Sequence, residues 1–332
     1  MAGAVWCWVP PPPHLHLPPR TLHLWLTRLP PTPPSPPPPG LPPTEVARAV
    51  SRLAHPASRA AHLVTRSMLR GVLGAYLGVP PPTVPLGVAP GGKPVLLGEG
   101  GRGVGVGEGK DEGGAAGEGE LAFSVAHTTG LGLVAVARGA PPGTDSGNND
   151  GSGGGLAIGV DIELADRPIS DRLLRRVLTP AEWATLPPSP ASTDPDADPD
   201  ADTDASRRRR RAAVAAWTRK EAVVKATGRG IAGGMRAFEV ATAPSPPSKG
   251  VGTTSADDDT GGEAEAGGLV PSTPSLLLSM AGQEGLARWT LLDVPLASHG
   301  AAGAVAVWGG GGVADVRLFH WPPVGEPGVG GR

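Results

Sequence analysis

Three observations on the sequence predict an α+β fold. Short runs alternate apolar residues with others, as in Leu156 to Glu163 (LAIGVDIE), where Ile158, Val160 and Ile162 point one way and Gly159, Asp161 and Glu163 the other. Longer runs carry a helical stripe: Ala61, Val64, Met68, Val72 and Ala75 within Ser58 to Tyr76, and the good helix formers from Ala212 to Ala226, stopped by Gly228 and Gly230. A faint internal repeat relates His127 to Gly139 (HTTGLGLVAVARG) to His299 to Gly311 (HGAAGAVAVWGGG), each following a helix-bearing segment.

Composition bounds the rest. The chain has 332 residues, of which 51 are glycine and 41 proline, the level of low-complexity sequence, so the folded part is smaller than the length suggests. A net charge of -2 gives no general argument for nucleic-acid binding. The one cysteine, Cys7, excludes an internal disulfide and fits a reducing compartment. No apolar run approaches the length that crosses a membrane.

In chain order, residues 1–20 read as a Pro-rich tail, and the acid-free stretch to residue 44 resists the amphipathic helix of a targeting segment. A first strand is expected at Thr21 to Leu26, where His23 and Trp25 alternate with three leucines, and the prolines from Pro30 to Pro43 form an extended spacer. Helix follows from Thr44, a candidate N-cap, to Leu77, broken at Pro56 and decorated by Arg48, Arg52, Arg59, Arg66 and Arg70, whose stems cover apolar surface. Lys93 sits on a tight turn between a glycine pair and Pro94. Residues 98–120 are glycine and acid and should be disordered. Strands at Leu121 to Val125 and Leu131 to Ala137 meet at His127, Thr128, Thr129 and Gly130, and 141–155 is a linker.

Beyond the Leu156 strand, Ser170 caps a helix over Asp171 to Leu178, and Thr179 with Glu182 has capping-box spacing before Trp183. Residues of about 187–206 form an insertion rich in proline and aspartate, followed by Arg207 to Arg211. Those arginines read as part of a solvated, self-neutralising loop, or as a contact for an acidic carrier or a nucleotide phosphate. A strand around Ala237 to Ala241, an insertion at 243–268 and strands at Leu276 to Met280, Ala287 to Leu292 and Ala304 to Val307 complete the fold, with 311–332 a frayed tail.

Two stretches carry chemistry. In WTRKEAVVKATGRG, Trp217, Glu221 and Lys225 recur every four residues, which puts an indole, a carboxylate and an ammonium on one helical face. The plain reading is an exposed ion pair beside a core tryptophan. On the strand, Asp161 and Glu163 share a face about 6–7 Å apart with no interleaved base, so they repel without a counter-ion. Either they face water at a strand end, or they hold a hard divalent cation whose remaining ligands are phosphate and water, with Glu221 able to complete the set. His127 at a strand end is, on its own, more often structural than functional.

The blocks GKP (Gly92 to Pro94), AFSVAHTTG (residues 122–130), GVDIE (Gly159 to Glu163) and WTRKEAVVKATGRG (Trp217 to Gly230), in this order, resemble the 4'-phosphopantetheinyl transferases of the surfactin-synthetase-activating type. The resemblance covers roughly residues 22 to 308 and is nearest to the single-chain eukaryotic and plant-like members. It implies a pseudo-dimer of two similar α+β halves, here 21–140 and 156–310, with the site between them in a monomeric chain. It implies transfer of 4'-phosphopantetheine from coenzyme A to a serine of an apo acyl carrier protein or carrier domain, with release of adenosine 3',5'-bisphosphate. Asp161, Glu163 and Glu221 would hold Mg2+, with Mn2+ as the substitute; Lys225 would offset charge on the leaving group, and Glu221 would take the serine proton directly or through a water. Some members lack the second acid of the strand, so Glu163 is the ligand the resemblance supports least.

For coenzyme A itself, the resemblance implies a phosphate contact from His127 aided by Thr128, a contact from Lys93 to the nucleotide end, and an arginine ahead of the long helix, Arg48 in preference to Arg52. Glu182 and Trp217 stand near the family site as secondary residues. The sequence departs from the family at Ser124 and Ala126, where asparagine and serine are usual, and Ala126 can donate no hydrogen bond. Neither nucleic acid nor membrane is an expected partner, and the expected compartment is the cytosol, with mitochondrion or plastid as alternatives. The carrier is left open among fatty-acid synthase, polyketide synthase and reductase. Two rival readings are a metal-dependent nuclease, whose usual Asp/Glu-x-Lys step is broken by Ala165, and a non-catalytic protein that binds coenzyme A and a carrier.

Overall fold

The computed structural model describes residues 8–12, 14–89, 92–98, 121–139, 156–188, 203–228, 234–243, 277–280, 288–309 and 313–322. The insertions expected at 98–120, about 187–206 and 243–268, and the linker at 141–155, fall almost wholly outside these ranges.

The first part of the chain runs β1 (Thr21–Arg28), α1 (Pro43–Arg52), α2 (Pro56–Leu77), β2 (Leu86–Val88), β3 (Pro94–Leu96), β4 (Leu121–Thr128) and β5 (Leu131–Arg138). Then follow β6 (Ala157–Leu164), α3 (Asp171–Val177), α4 (Pro180–Thr185), α5 (Asp204–Thr227), β7 (Phe238–Val240), β8 (Leu277–Met280), β9 (Trp289–Val294), β10 (Ala301–Trp308) and β11 (Asp315–His320). Both long helices end on a glycine in the left-handed region, Gly78 at φ 66° and Gly228 at φ 67°, a geometry that costs a residue with a Cβ about 1–2 kcal/mol. Helix α1 starts one residue before Thr44, with Pro43 in its first turn and no side-chain cap, because proline supplies a helical φ without an orphan N–H.

The strands form two main sheets, ordered β11-β1-β5-β4 and β6-β10-β9. In both, the hairpin's second strand (β5, β10) lies between the hairpin's first strand and the strand that opens the segment, and all these pairings are antiparallel. Alternation along each strand sorts side chains between layers. Leu22, Leu24 and Leu26 of β1 meet Ile158, Val160 and Ile162 of β6 in a core between the sheets. Trp25, Val134 and Val136, on the opposite face of the first sheet, pack on Met68, Leu69, Val72 and Leu73 of α2. Leu291, Ala304 and Ala306 pack on Ala213, Ala216 and Val223 of α5. The stack is therefore helix, sheet, sheet, helix.

Two terminal expectations are corrected. Residues 315–320 are not frayed: β11 pairs in parallel with β1, sending Val316 and Leu318 into the core between the sheets and Phe319 against Trp25. Its alternation was hidden by the glycine and proline around it. Likewise the Pro-rich start is partly anchored, since Val9 bridges Phe319 and Leu17 is buried. The arginine run is corrected too, because α5 starts at Asp204, capped by the Thr203 hydroxyl, so Arg207 to Arg211 are helical.

Candidate active site

The site is built where α5 touches β6. Gly159 permits the contact: a Cβ there would lie 2.0 Å from the Ala222 carbonyl oxygen and 2.4 Å from the Ala226 nitrogen. Helix and strand thus meet backbone to backbone, and the next residue on that face of β6 is Asp161. Lys225 reaches across from α5, its Nζ donating to Asp161 Oδ1 at 2.7 Å and to the Val160 carbonyl at 3.1 Å. The sequence pairing of Glu221 with Lys225 is replaced by a pairing across elements, Asp161 with Lys225.

Electrostatics mark this cluster. Burial raises the Asp161 carboxyl above its ordinary pKa, against the opposing pull of Lys225. Glu221 is raised by burial and then by the Asp161 charge beside it, and forms no hydrogen bond among the described residues. Among the described residues Asp161 Oδ2 is buried without a hydrogen bond of ordinary geometry, and the Ile162 N–H exerts only a lesser pull on the carboxyl. A buried carboxylate oxygen without a well-formed hydrogen bond, next to a second acid of raised pKa, is what a hard cation or a proton satisfies. The donor set therefore fits a divalent cation at Asp161 and Glu221.

Glu163 stands differently. Its Oε1 is ion-paired with Arg167, and its Oε2 accepts from the Thr128 hydroxyl at 3.4 Å. Arg167 also lies 5.7 Å from the centre of the Trp217 ring. Among the described residues, no three His, Cys, Asp or Glu side chains converge as a closed metal cage.

The other wall comes from the first part of the chain. Ser124 Oγ accepts from the Val160 N–H at 3.0 Å, so the unusual serine joins β4 to β6. At the end of β4, His127 is lowered in pKa by the packing around it and by the charge of Lys225, with Asp161 pulling the other way. Lys93 is no mere surface lysine: its Nζ donates to the Lys225 carbonyl at 2.7 Å and to the Ile158 carbonyl at 3.4 Å. Burial and Lys225 together lower its pKa. Two ammonium groups and an imidazole near one buried carboxylate pair form a place for a polyanion.

Of the residues expected from the sequence, Asp161, Glu221, Lys225, Lys93, His127, Thr128, Glu163 and Trp217 come together. Arg48 does not join them: it is exposed on α1 and forms no side-chain hydrogen bond or ion pair among the described residues. Glu182 is also set apart. Its carboxylate accepts from the Thr179 and Val240 N–H groups at 2.7 Å each and pairs with the wholly buried Lys220 at 2.8 Å, so the capping-box reading holds. Arg167 was missed because it follows the strand end, where periodicity places nothing. His62 was missed inside an apolar helical stripe; the charges of Arg66 and Glu45, and His127, all act on it, with burial the main cause of its lowered pKa.

Sequence comparison agrees with this geometry. A profile of the 4'-phosphopantetheinyl transferase superfamily matches residues 157–261, the segment holding β6 and α5. The 4'-phosphopantetheinyl transferase HetI of Nostoc sp. strain PCC 7120 is 31% identical over 248 residues, 73% of this chain and 83% of the relative. With that extent of identity, laid over a buried acid pair and its lysine, the chain belongs to the 4'-phosphopantetheinyl transferase superfamily.

Proposed function

We propose that the protein transfers the 4'-phosphopantetheine group of coenzyme A to a serine of an apo carrier protein in a Mg2+-dependent reaction, as a holo-acyl-carrier-protein synthase, and releases adenosine 3',5'-bisphosphate. Membership of the family supports the reaction class. On this chain the reading rests on Asp161, buried, with Oδ1 on Lys225 and, among the described residues, Oδ2 without a hydrogen bond of ordinary geometry, beside Glu221. The nuclease alternative has no support from the family.

The reaction is a displacement at phosphorus. The serine Oγ forms a bond to the phosphorus of the pantetheine phosphate, the bond from that phosphorus to the bridging oxygen breaks, and the electron pair leaves with adenosine 3',5'-bisphosphate. Asp161 and Glu221 would hold Mg2+ or Mn2+, which would supply positive charge to offset that of the pyrophosphate. Glu221, its pKa raised by burial and by the neighbouring Asp161, receives the serine proton directly or through a water. Lys225 and Lys93 face the charge that grows on the leaving phosphate, and both are held by backbone carbonyls, so little reorganisation is needed. His127, kept neutral, donates to a phosphate oxygen with the Thr128 hydroxyl beside it.

We read the two sheets as halves of a pseudo-dimer within a monomer, a reading supported by the shared order β1-β5-β4 and β6-β10-β9 and by the repeat around Gly130 and Gly300. The cytosol is the proposed compartment, supported by the single cysteine. The deciding experiment is the intact mass of an apo acyl carrier protein after incubation with the protein, coenzyme A and Mg2+. A phosphopantetheine gain is expected; coenzyme A binding with no gain on several apo carriers overturns the reading in favour of a non-catalytic binding protein.

A further inference from the structure

The strand and the helix bring acids to one corner of the molecule without gathering all of them. Asp161 and Glu163 share a face of β6, and Glu221 stands beside Asp161 on α5, yet among the described residues no three His, Cys, Asp or Glu side chains converge. What withholds Glu163 is Arg167. Its guanidinium is ion-paired with Glu163 Oε1, while the Thr128 hydroxyl donates to Oε2 at 3.4 Å, so both carboxylate oxygens are engaged away from Asp161.

Arg167 is itself held from two sides. The turn that ends β6 is closed by the Arg167 N–H on the Leu164 carbonyl at 3.1 Å and tied to the β9–β10 turn by the Ala165 N–H on the Gly300 carbonyl at 2.9 Å. Pro168 follows and restricts the backbone of the residue before it. The side chain then leans on Trp217, its guanidinium carbon 5.7 Å from the ring centre, within cation–π reach. Trp217 lies one turn ahead of Glu221, so Arg167 spans the two elements that carry the acids. Its charge is also felt at Asp161 and Glu221, where it opposes the rise that burial causes. An ion pair this near the surface adds little to stability, so its worth lies in where it keeps Glu163. Mg2+ is ordinarily bound through one or two carboxylates, with its other places left to water and substrate phosphate. A third carboxylate would take a place that a phosphate oxygen needs.

We propose that Arg167 is a positioning residue that holds Glu163 off the cation site, so that Asp161 and Glu221 are its carboxylate ligands and the remaining places stay open to phosphate. The proposal rests on the reading of Asp161 and Glu221 as metal ligands. It assigns to Arg167 no contact with the reacting atoms.

Binding of Mn2+ to the full-length protein without coenzyme A, read from the electron paramagnetic resonance signal of the free ion, tests it. Arg167→Met removes the charge and keeps an apolar stem against Trp217. It should lower the Mn2+ dissociation constant about tenfold, because the freed carboxylate adds a charged ligand. In a Glu163→Gln protein the same change should lower the constant by less than about threefold. Equal gains in the two backgrounds would mean that Arg167 acts by its own charge, and no gain in either that it only packs on Trp217; both results overturn the proposal. Arg167→Lys keeps a cation for Glu163 and should bind Mn2+ nearly as the wild type does, and a gain as large as that of Arg167→Met counts against the pairing. Circular dichroism melting in a chelator checks that each variant folds, with Arg167→Gln replacing the methionine variant if that one does not. If neither wild type nor Arg167→Met binds Mn2+, the proposal and the metal reading fall together. Wild-type binding that Asp161→Asn abolishes and Arg167→Met leaves unchanged overturns the proposal alone.

Discussion

Replacing Gly159 by alanine is the sharpest perturbation of the framework on which the site stands. The new Cβ would fall 2.0 Å from the Ala222 carbonyl oxygen, 2.4 Å from the Ala226 nitrogen and 3.0 Å from the Lys225 carbonyl carbon. All three are backbone atoms of α5, so no rotamer change relieves the overlap. An ordinary carbon–oxygen contact begins at about 3.3 Å, so α5 and β6 must part by roughly 1.3 Å. Overpacking of this kind costs about 1–3 kcal/mol, and a rigid helix against a rigid strand belongs at about 3 kcal/mol. In a domain of this size that lowers Tm by about 6–12 °C. The same shift draws Lys225 from Asp161 and Lys93 from the Lys225 carbonyl, both now at 2.7 Å, and a misplacement of about 1 Å near reacting groups costs on the order of a hundredfold in rate. Melting by circular dichroism and transfer to an apo carrier at a temperature where both proteins are folded measure the two effects. Gly78→Ala is the control: it strains a left-handed residue with nothing within 4 Å, so it should lower Tm and leave the transfer rate alone. A Gly159→Ala protein with wild-type Tm and rate would refute the reasoning.

Three more expectations follow from the charges. Asp161 and Glu221 have raised pKa values in the fold, so their contribution to stability is complete below the unfolded-state pKa and is lost as pH rises through the folded one. At neutral pH they are therefore a net cost: Mg2+ should raise Tm, and Asp161→Asn should abolish both that rise and transfer without lowering the metal-free Tm. Because Glu163 is paired with Arg167, Glu163→Gln should reduce the transfer rate at least tenfold less than Asp161→Asn does, and a loss as large as that of Asp161→Asn would contradict the pairing. His23 is wholly buried on β1, bonded through Nδ1 to the Tyr76 hydroxyl at 2.6 Å, and its pKa is pushed down to about 3 by burial and then by Arg317. A lowered histidine stabilises the fold above its unfolded pKa of 6.5 and loses that contribution as pH falls towards 3. Urea titrations across this window should lose up to about 1.4 kcal/mol per pH unit more in the wild type than in His23→Leu, and equal slopes would count against a neutral buried imidazole.

Much of the site was legible because it sits on regular elements. The period of two placed Asp161 and Glu163 on one face of a strand, and the period near four aligned Trp217, Glu221 and Lys225, as β6 and α5 bear out. What periodicity cannot supply is the partner across elements. Lys225 pairs with Asp161, residues separated by 64 positions, and Lys93 reaches Lys225 over 132. The close approach at Gly159 brings α5 onto β6, and a single glycine in a strand does not announce it. Arg48 rests on the resemblance alone, with no local pattern to fix its place, and α1 leaves it exposed. Glu182 shows the reverse, a local capping pattern that was sufficient, with a buried lysine added by the fold. The strand β11 went unseen because six alternating residues among glycines and prolines gain their structure from β1, not from their own propensity.

The central claim is that Asp161 and Glu221 form the centre of a phosphopantetheine transfer. Its most direct test is the intact mass of an apo acyl carrier protein incubated with coenzyme A and either wild type, Asp161→Asn or Glu221→Gln, with Mg2+ or with a chelator. A phosphopantetheine mass gain is expected with wild type and Mg2+ alone. A gain of equal rate from Asp161→Asn, or from wild type freed of divalent metal, would contradict it.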